Sequence, residues 1–75
     1  MSNLTKIYVQ SHLINVQSLI ELDETLEYLT SEKYDATEKE EVAINETIEK
    51  IMSELLNRGF NNWDELKDHL KGEEN

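Results

Sequence analysis

The sequence predicts an all-α fold, and three observations carry that expectation. Proline is absent and glycine occurs only at Gly59 and Gly72, which removes the residues that most β-turns and phosphate-binding loops require. The stretch Thr37–Leu56 sets Ile44, Ile48, Ile51, Met52 and Leu55 within an arc of roughly 100°, the width of a face packed on a core. Ser18 with Glu21, and Thr37 with Glu40, carry the spacing of a capping box, in which side chain and backbone satisfy each other at a helix start. The expected architecture is an antiparallel helical hairpin with a short third helix at its C-terminal end. An N-terminal helical segment, kinked near Ser18 or not, precedes the hairpin.

From Met1 to Ile20 there is no Asp or Glu, and all seventeen acids of the chain follow. The β-branched and aromatic run Ile7-Tyr8-Val9 favours a strand locally, yet no turn residues follow that would close a hairpin. As a helix, Leu4, Ile7 and Tyr8 fall on one face and Val9, Leu13, Val16 and Ile20 nearly opposite. Such a segment is apolar on two sides and exposes more than one thin hairpin can cover. Residues 1–17 therefore read as an association arm, and Ile7, Val9, Leu13, Val16 and Ile20 as its contact surface. The absence of Gly and Pro favours one long helix running through Ser18, whereas the change of apolar face there favours a break. The long, kinked form is the reading taken.

After Ser18 the stripe settles on Leu19, Leu22, Leu26 and Leu29, with Glu21, Asp23, Glu24 and Glu27 outside, which predicts a helix over Leu19–Thr30. The polar connection 30–36 is short enough to set the next helix, Thr37–Leu56, antiparallel to it. Leu22, Leu26 and Leu29 then meet Ile44, Ile48 and Leu55. Gly59 after Arg58 supplies the left-handed residue that commonly ends a helix, and Phe60 folds back on Leu55. Asn62, with Glu65 three residues on, caps a third helix with Trp63, Leu66 and Leu70 along its apolar edge. Residues 71–75 form a charged, frayed tail.

Seventy-five residues make one domain, which buries only about 60% of the surface of its unfolded chain. Without cysteine neither disulfides nor a thiolate zinc site can staple it, and nothing points to an oxidising compartment. No run approaches the roughly 18 apolar residues of a membrane span. A cytoplasmic protein that does not enter membranes is expected. The net charge of −10 disfavours a direct grip on nucleic-acid phosphates.

Catalytic and metal chemistry find little support. Glu65 and His69 share a helical face, but a metal site needs three or four ligands and no facing pair completes one. His12 has no acid near it on the chain and no nucleophile pattern to serve. The adjacent carboxylates of Asp23-Glu24 and Glu40-Glu41 sit in charge-rich runs, where no cleft would desolvate one of them for acid–base work. The chain is expected to be no enzyme, and to need neither cofactor nor metal.

The acids themselves are the outstanding feature. Glu21, Asp23, Glu24, Glu27, Glu38, Glu41, Glu46 and Glu49 are spread over both hairpin helices, and carboxylates three or four residues apart lie about 5–6 Å from one another at their stems. They are expected to form one negative face that contacts a basic partner protein, such as the groove of a nucleic-acid-binding protein. In size and composition the chain resembles the small acidic inhibitors, many carried by phages, that imitate DNA; the likeness is one of type and rests on no family motif. The plainer alternative is that the acids only solvate the hairpin. A structural or adaptor protein that self-associates as a homodimer through its N-terminal arm is the other functional reading, and an antitoxin-like partner of a basic toxin is a third.

Overall fold

Four α-helices follow one another among the described residues, α1 (Asn3–Leu13), α2 (Leu19–Glu32), α3 (Glu38–Asn57) and α4 (Trp63–Glu73), with 3-10 turns at Ile14–Val16 and Lys33–Asp35 and no strand. The computed structural model describes residues 3–73. The fold of the described residues is all-α, and the segment Ile7-Tyr8-Val9 belongs to α1.

Helix starts and stops are made locally. Ser18 N–H donates to Glu21 Oε1 at 3.0 Å while Glu21 N–H donates to Ser18 Oγ at 3.2 Å, a complete capping box at the start of α2. Thr37 and Glu40 repeat the exchange at the start of α3, with both bonds at 3.3 Å. At the other end of α3 the Gly59 N–H donates to the Leu56 carbonyl at 3.1 Å and the Phe60 N–H to the Leu55 carbonyl at 2.8 Å. That pair of bonds needs a left-handed residue between them, and Gly59 supplies φ of +98° at no steric cost. Asn62 Oδ1 accepts from Glu65 N–H at 2.9 Å to open α4. The Glu65 carboxylate reaches back one residue further than a capping box would, to Asn61 N–H at 3.2 Å.

The junction of α1 and α2 corrects the expectation of one long helix. Gln17 (ψ 146°) and Ser18 (ψ 168°) are both extended, so the helices are separate. A serine that caps the next helix has its backbone outside helical space, and the cap satisfies donors that a continuous helix would have served from the preceding turn.

One core joins the helices: Ile7 and Ile14 from the N-terminal segment, Leu22, Leu26 and Leu29 from α2, Ala43, Ile44, Ile51 and Leu55 from α3, and Leu66 from α4. Each large aliphatic side chain so buried contributes about 1.5–3 kcal/mol. Buried Thr47 satisfies its hydroxyl on the Ala43 carbonyl at 2.8 Å, and Thr25 does the same on the Glu21 carbonyl at 2.8 Å. Ile48, expected at the centre of the core, is only half-buried. Ala43 and Ile48 lie roughly 140° apart on the helix, at opposite edges of the apolar stripe. Ala43 and Thr47 are buried, so the buried arc of α3 reaches the Ala43 edge and leaves Ile48 at the rim.

Two long-range ties hold the ends of the bundle. Arg58, paired with Glu54 at 2.7 Å, extends its guanidinium to the carbonyls of Ile14 and Asn15 at 3.4 Å each. Trp63 donates its indole N–H to Asp23 Oδ1 at 2.7 Å, which pins the start of α4 beside the start of α2. The helix of α4 continues through Glu73, while residues 74 and 75 of the expected tail lie outside the described residues. No described helix is long and apolar enough to cross a membrane.

Candidate functional site

The acidic side chains divide by what they touch. Asp23 is half-buried and accepts the Trp63 indole, so it serves the fold. Glu21 is exposed, but its carboxylate holds the Ser18 backbone N–H. That bond, and after it the Ser18 hydroxyl, lowers its pKa from the usual 4.5, because both favour the charged form. Glu24, Glu27, Glu38, Glu41, Glu46 and Glu49 are exposed.

These acids have two settings. Glu24 and Glu27 lie on the α2 side. There they line an open groove of about 660 Å³ with Ile20 and Asp23, and the far wall is Lys67, Leu70 and Lys71 of α4. Lys67 is held with its ammonium 4.0 Å from the centre of the Trp63 ring. This face is therefore of mixed charge, a consequence of α4 lying alongside α2 that α2's own sequence could not show.

The outer face of α3 has a different character. Glu38, Val42, Asn45, Glu49, Ser53 and Leu56 follow one another at helical spacing along the side opposite Ile44, Ile51 and Leu55, with Glu41 and Glu46 flanking them. Val42 and Leu56 are 55% and 58% exposed. Sequence reading passed over both because they fall outside the isoleucine stripe, and that displacement was the available signal. Lys39 and Lys50 sit roughly 100° around the helix from Glu38 and Glu49, on the side of Glu46, which is one turn from Lys50.

The residues expected on the N-terminal association surface are also split. Ile7 is fully buried in the core shared by the helices, which removes it from any such surface. Ile20 is exposed but belongs to α2 and lines the groove facing α4. Val9, Leu13 and Val16 remain, at 53%, 45% and 71% exposure.

No group of three or more His, Cys, Asp or Glu that could hold a metal stands among the described residues. Glu65 is engaged with Asn61, and His69 packs edge-on against Phe60 with ring centroids 5.2 Å apart. Tyr28 lies under the Lys6 ammonium, 4.3 Å from the ring centre. Its hydroxyl is pushed above the ordinary value of 10.0, first by burial and then by the charges of Glu32 and Glu40. Every strong polar interaction named here is accounted for by the fold itself. No family model, curated protein or solved structure matches the chain.

Proposed function

We propose that this protein is a non-enzymatic cytoplasmic binding module that occupies a basic surface of a partner protein, in the manner of a DNA mimic, with the outer face of α3 as its contact. The observation that carries the reading is the composition of that face. Exposed Glu38, Glu41, Glu46 and Glu49 stand around the exposed side chain of Val42, and exposed Leu56 follows about 21 Å along the same helix. Charged rims steer a partner and fix its register, while apolar anchors near the centre of a contact supply most of the affinity. In this reading α2 and α3 form an antiparallel hairpin in which α2 and α4 back the contact helix without sharing in it. Binding is by occupancy, and no nucleic acid is held directly.

Affinity capture from the native host, followed by binding assays on the captured protein, tests the proposal. A partner with a basic groove, displaced by duplex DNA and bound more weakly as salt rises, is the expected result. Reversing Glu38, Glu46 and Glu49 to Lys should abolish that binding, whereas Glu24→Lys with Glu27→Lys should weaken it much less. Binding that survives the α3 reversals with an unchanged salt response would leave the acids as a solvating surface only.

A further inference from the structure

We infer that the outward face of α1 is a contact between two copies of this chain. Val9 and Leu13, with Val16 in the 3-10 turn that follows, recur at spacings of four and three residues on the side away from Ile7 and Ile14. All three are about half exposed or more, as is Tyr8 at 51%. Thr5 and His12 border the face on one side, and Lys6, about 20° around the helix from Leu13, lies at its α2 edge over the Tyr28 ring; all three are exposed.

The occupant follows from charge. In a two-fold pairing a patch meets its own copy, so it must tolerate every group it carries. For a chain of net charge −10, repulsion between two facing patches is least where the patch carries no carboxylates. The outward sides of the other helices all carry them: Glu24 and Glu27 on α2, Glu38 and Glu49 on α3, Asp64 and Asp68 on α4. Residues 1–20 contain no Asp or Glu, so among the described helices α1 has the outward face that meets its copy with no carboxylate opposed. Such a face offers a basic partner no attraction. Glu21 and Glu24 line the shallow groove between α1 and α2 with Lys6, Gln10 and Tyr28, and Glu54 is held by Arg58 beside the 3-10 turn. They form a rim and leave the centre apolar.

The contact is small. An eleven-residue helix is about 16 Å long, so the pair buries less than the roughly 800 Å² per partner of a standard interface. Association is consequently weak. The remaining charges of the two copies repel, and salt screens that repulsion. Dimerisation should strengthen with salt, opposite in sign to the binding of a basic partner, so this inference and the proposed function stand or fall separately.

Sedimentation of the full chain between about 10 μM and about 1 mM, at about 0.1 M and about 1 M salt where the screening length is about 10 Å and about 3 Å, tests it. The weight-average mass should climb from 8.8 kDa toward twice that value, and do so at lower concentration in high salt. Val9→Glu and Leu13→Glu, each placed twice in a dimer, should weaken association by roughly tenfold or more with helicity retained. Val16→Glu, at the most exposed of the three positions, does the same should either variant lose helicity. Leu56→Glu, on α3, should dimerise like the parent. A monomer throughout the range, association that falls with salt, or dimers unaffected by the folded α1 variants would overturn the inference.

Discussion

Helices α1 and α3 pack on each other more extensively than any other pair, yet they are specified in different ways. Helix α3 has a capping box at one end, a glycine-terminated turn at the other and a single apolar stripe between. Its ends and its inward face follow from residues within one turn of where they act. Helix α1 has no acid in its first turn and apolar residues on two sides. Its far end runs into a 3-10 turn whose carbonyls are met by Arg58 from α3. The comparison shows that a helix can be defined by its own sequence or by the neighbour that receives it, and that only the first kind announces which side is buried.

The sharpest way to break this picture is to charge the core of α3. Ile51 is fully buried, and Ile51→Asp would place an unpaired carboxylate there at a cost of several kcal/mol, comparable with the whole stability of a small domain. Loss of the helical circular dichroism signal is expected. Ile48→Asp, at the half-buried rim, should leave a folded protein with a lowered melting temperature. Equal damage from the two would mean that α3 is rotated from the orientation described.

Dependence of α1 on its neighbour is tested by Ile7→Ala, which should cost about 2–5 kcal/mol. Hydrogen exchange ought to accelerate first in α1, with α3 amides protected longest. Val9→Ala, on the exposed side, should change stability by no more than about 0.5 kcal/mol. If Val9 proved the costlier of the two, the inward and outward faces of α1 would have to be exchanged.

A smaller effect separates acids that build the fold from acids that only face solvent. Asp23→Ala removes the acceptor of the Trp63 indole and should cost about 1.5 kcal/mol, with a shift in tryptophan fluorescence. Glu24→Ala, one residue away and exposed, should fall within about 0.5 kcal/mol of the parent. Comparable losses at both positions would show that the indole bond contributes nothing.

The smallest expected effect is a pH dependence at the start of α2. Because the Ser18 bonds lower the folded-state pKa of Glu21 from 4.5, its contribution to stability is fully present above that value. It is lost as pH falls below 4.5 and through the lowered folded value, where the carboxylate takes up a proton and the charged hydrogen bond goes. Thermal melts of the parent and of Glu21→Gln should therefore converge at low pH and separate above it. Curves that stay parallel through this range would remove the assigned role of the carboxylate.

The sequence by itself determined that the chain is helical and where α2 and α3 begin. Ser18, Thr37 and Gly59 act through hydrogen bonds and backbone angles within a few residues, and such signals need no tertiary partner to be read. Packing decided the rest. Ile7 went inside while Val9, Leu13 and Val16 stayed out, because a helix with two apolar faces has no preference until another helix covers one of them. Ile48 moved to the rim because the packed arc of α3 takes in Ala43 and Thr47 on its other edge. Asp23 reads on the chain like Glu24, and only the arrival of Trp63, forty residues later, made it a structural acceptor. Glu24 and Glu27 read on the chain as purely acidic, and only the packing of α4 set Lys67 and Lys71 across a groove from them.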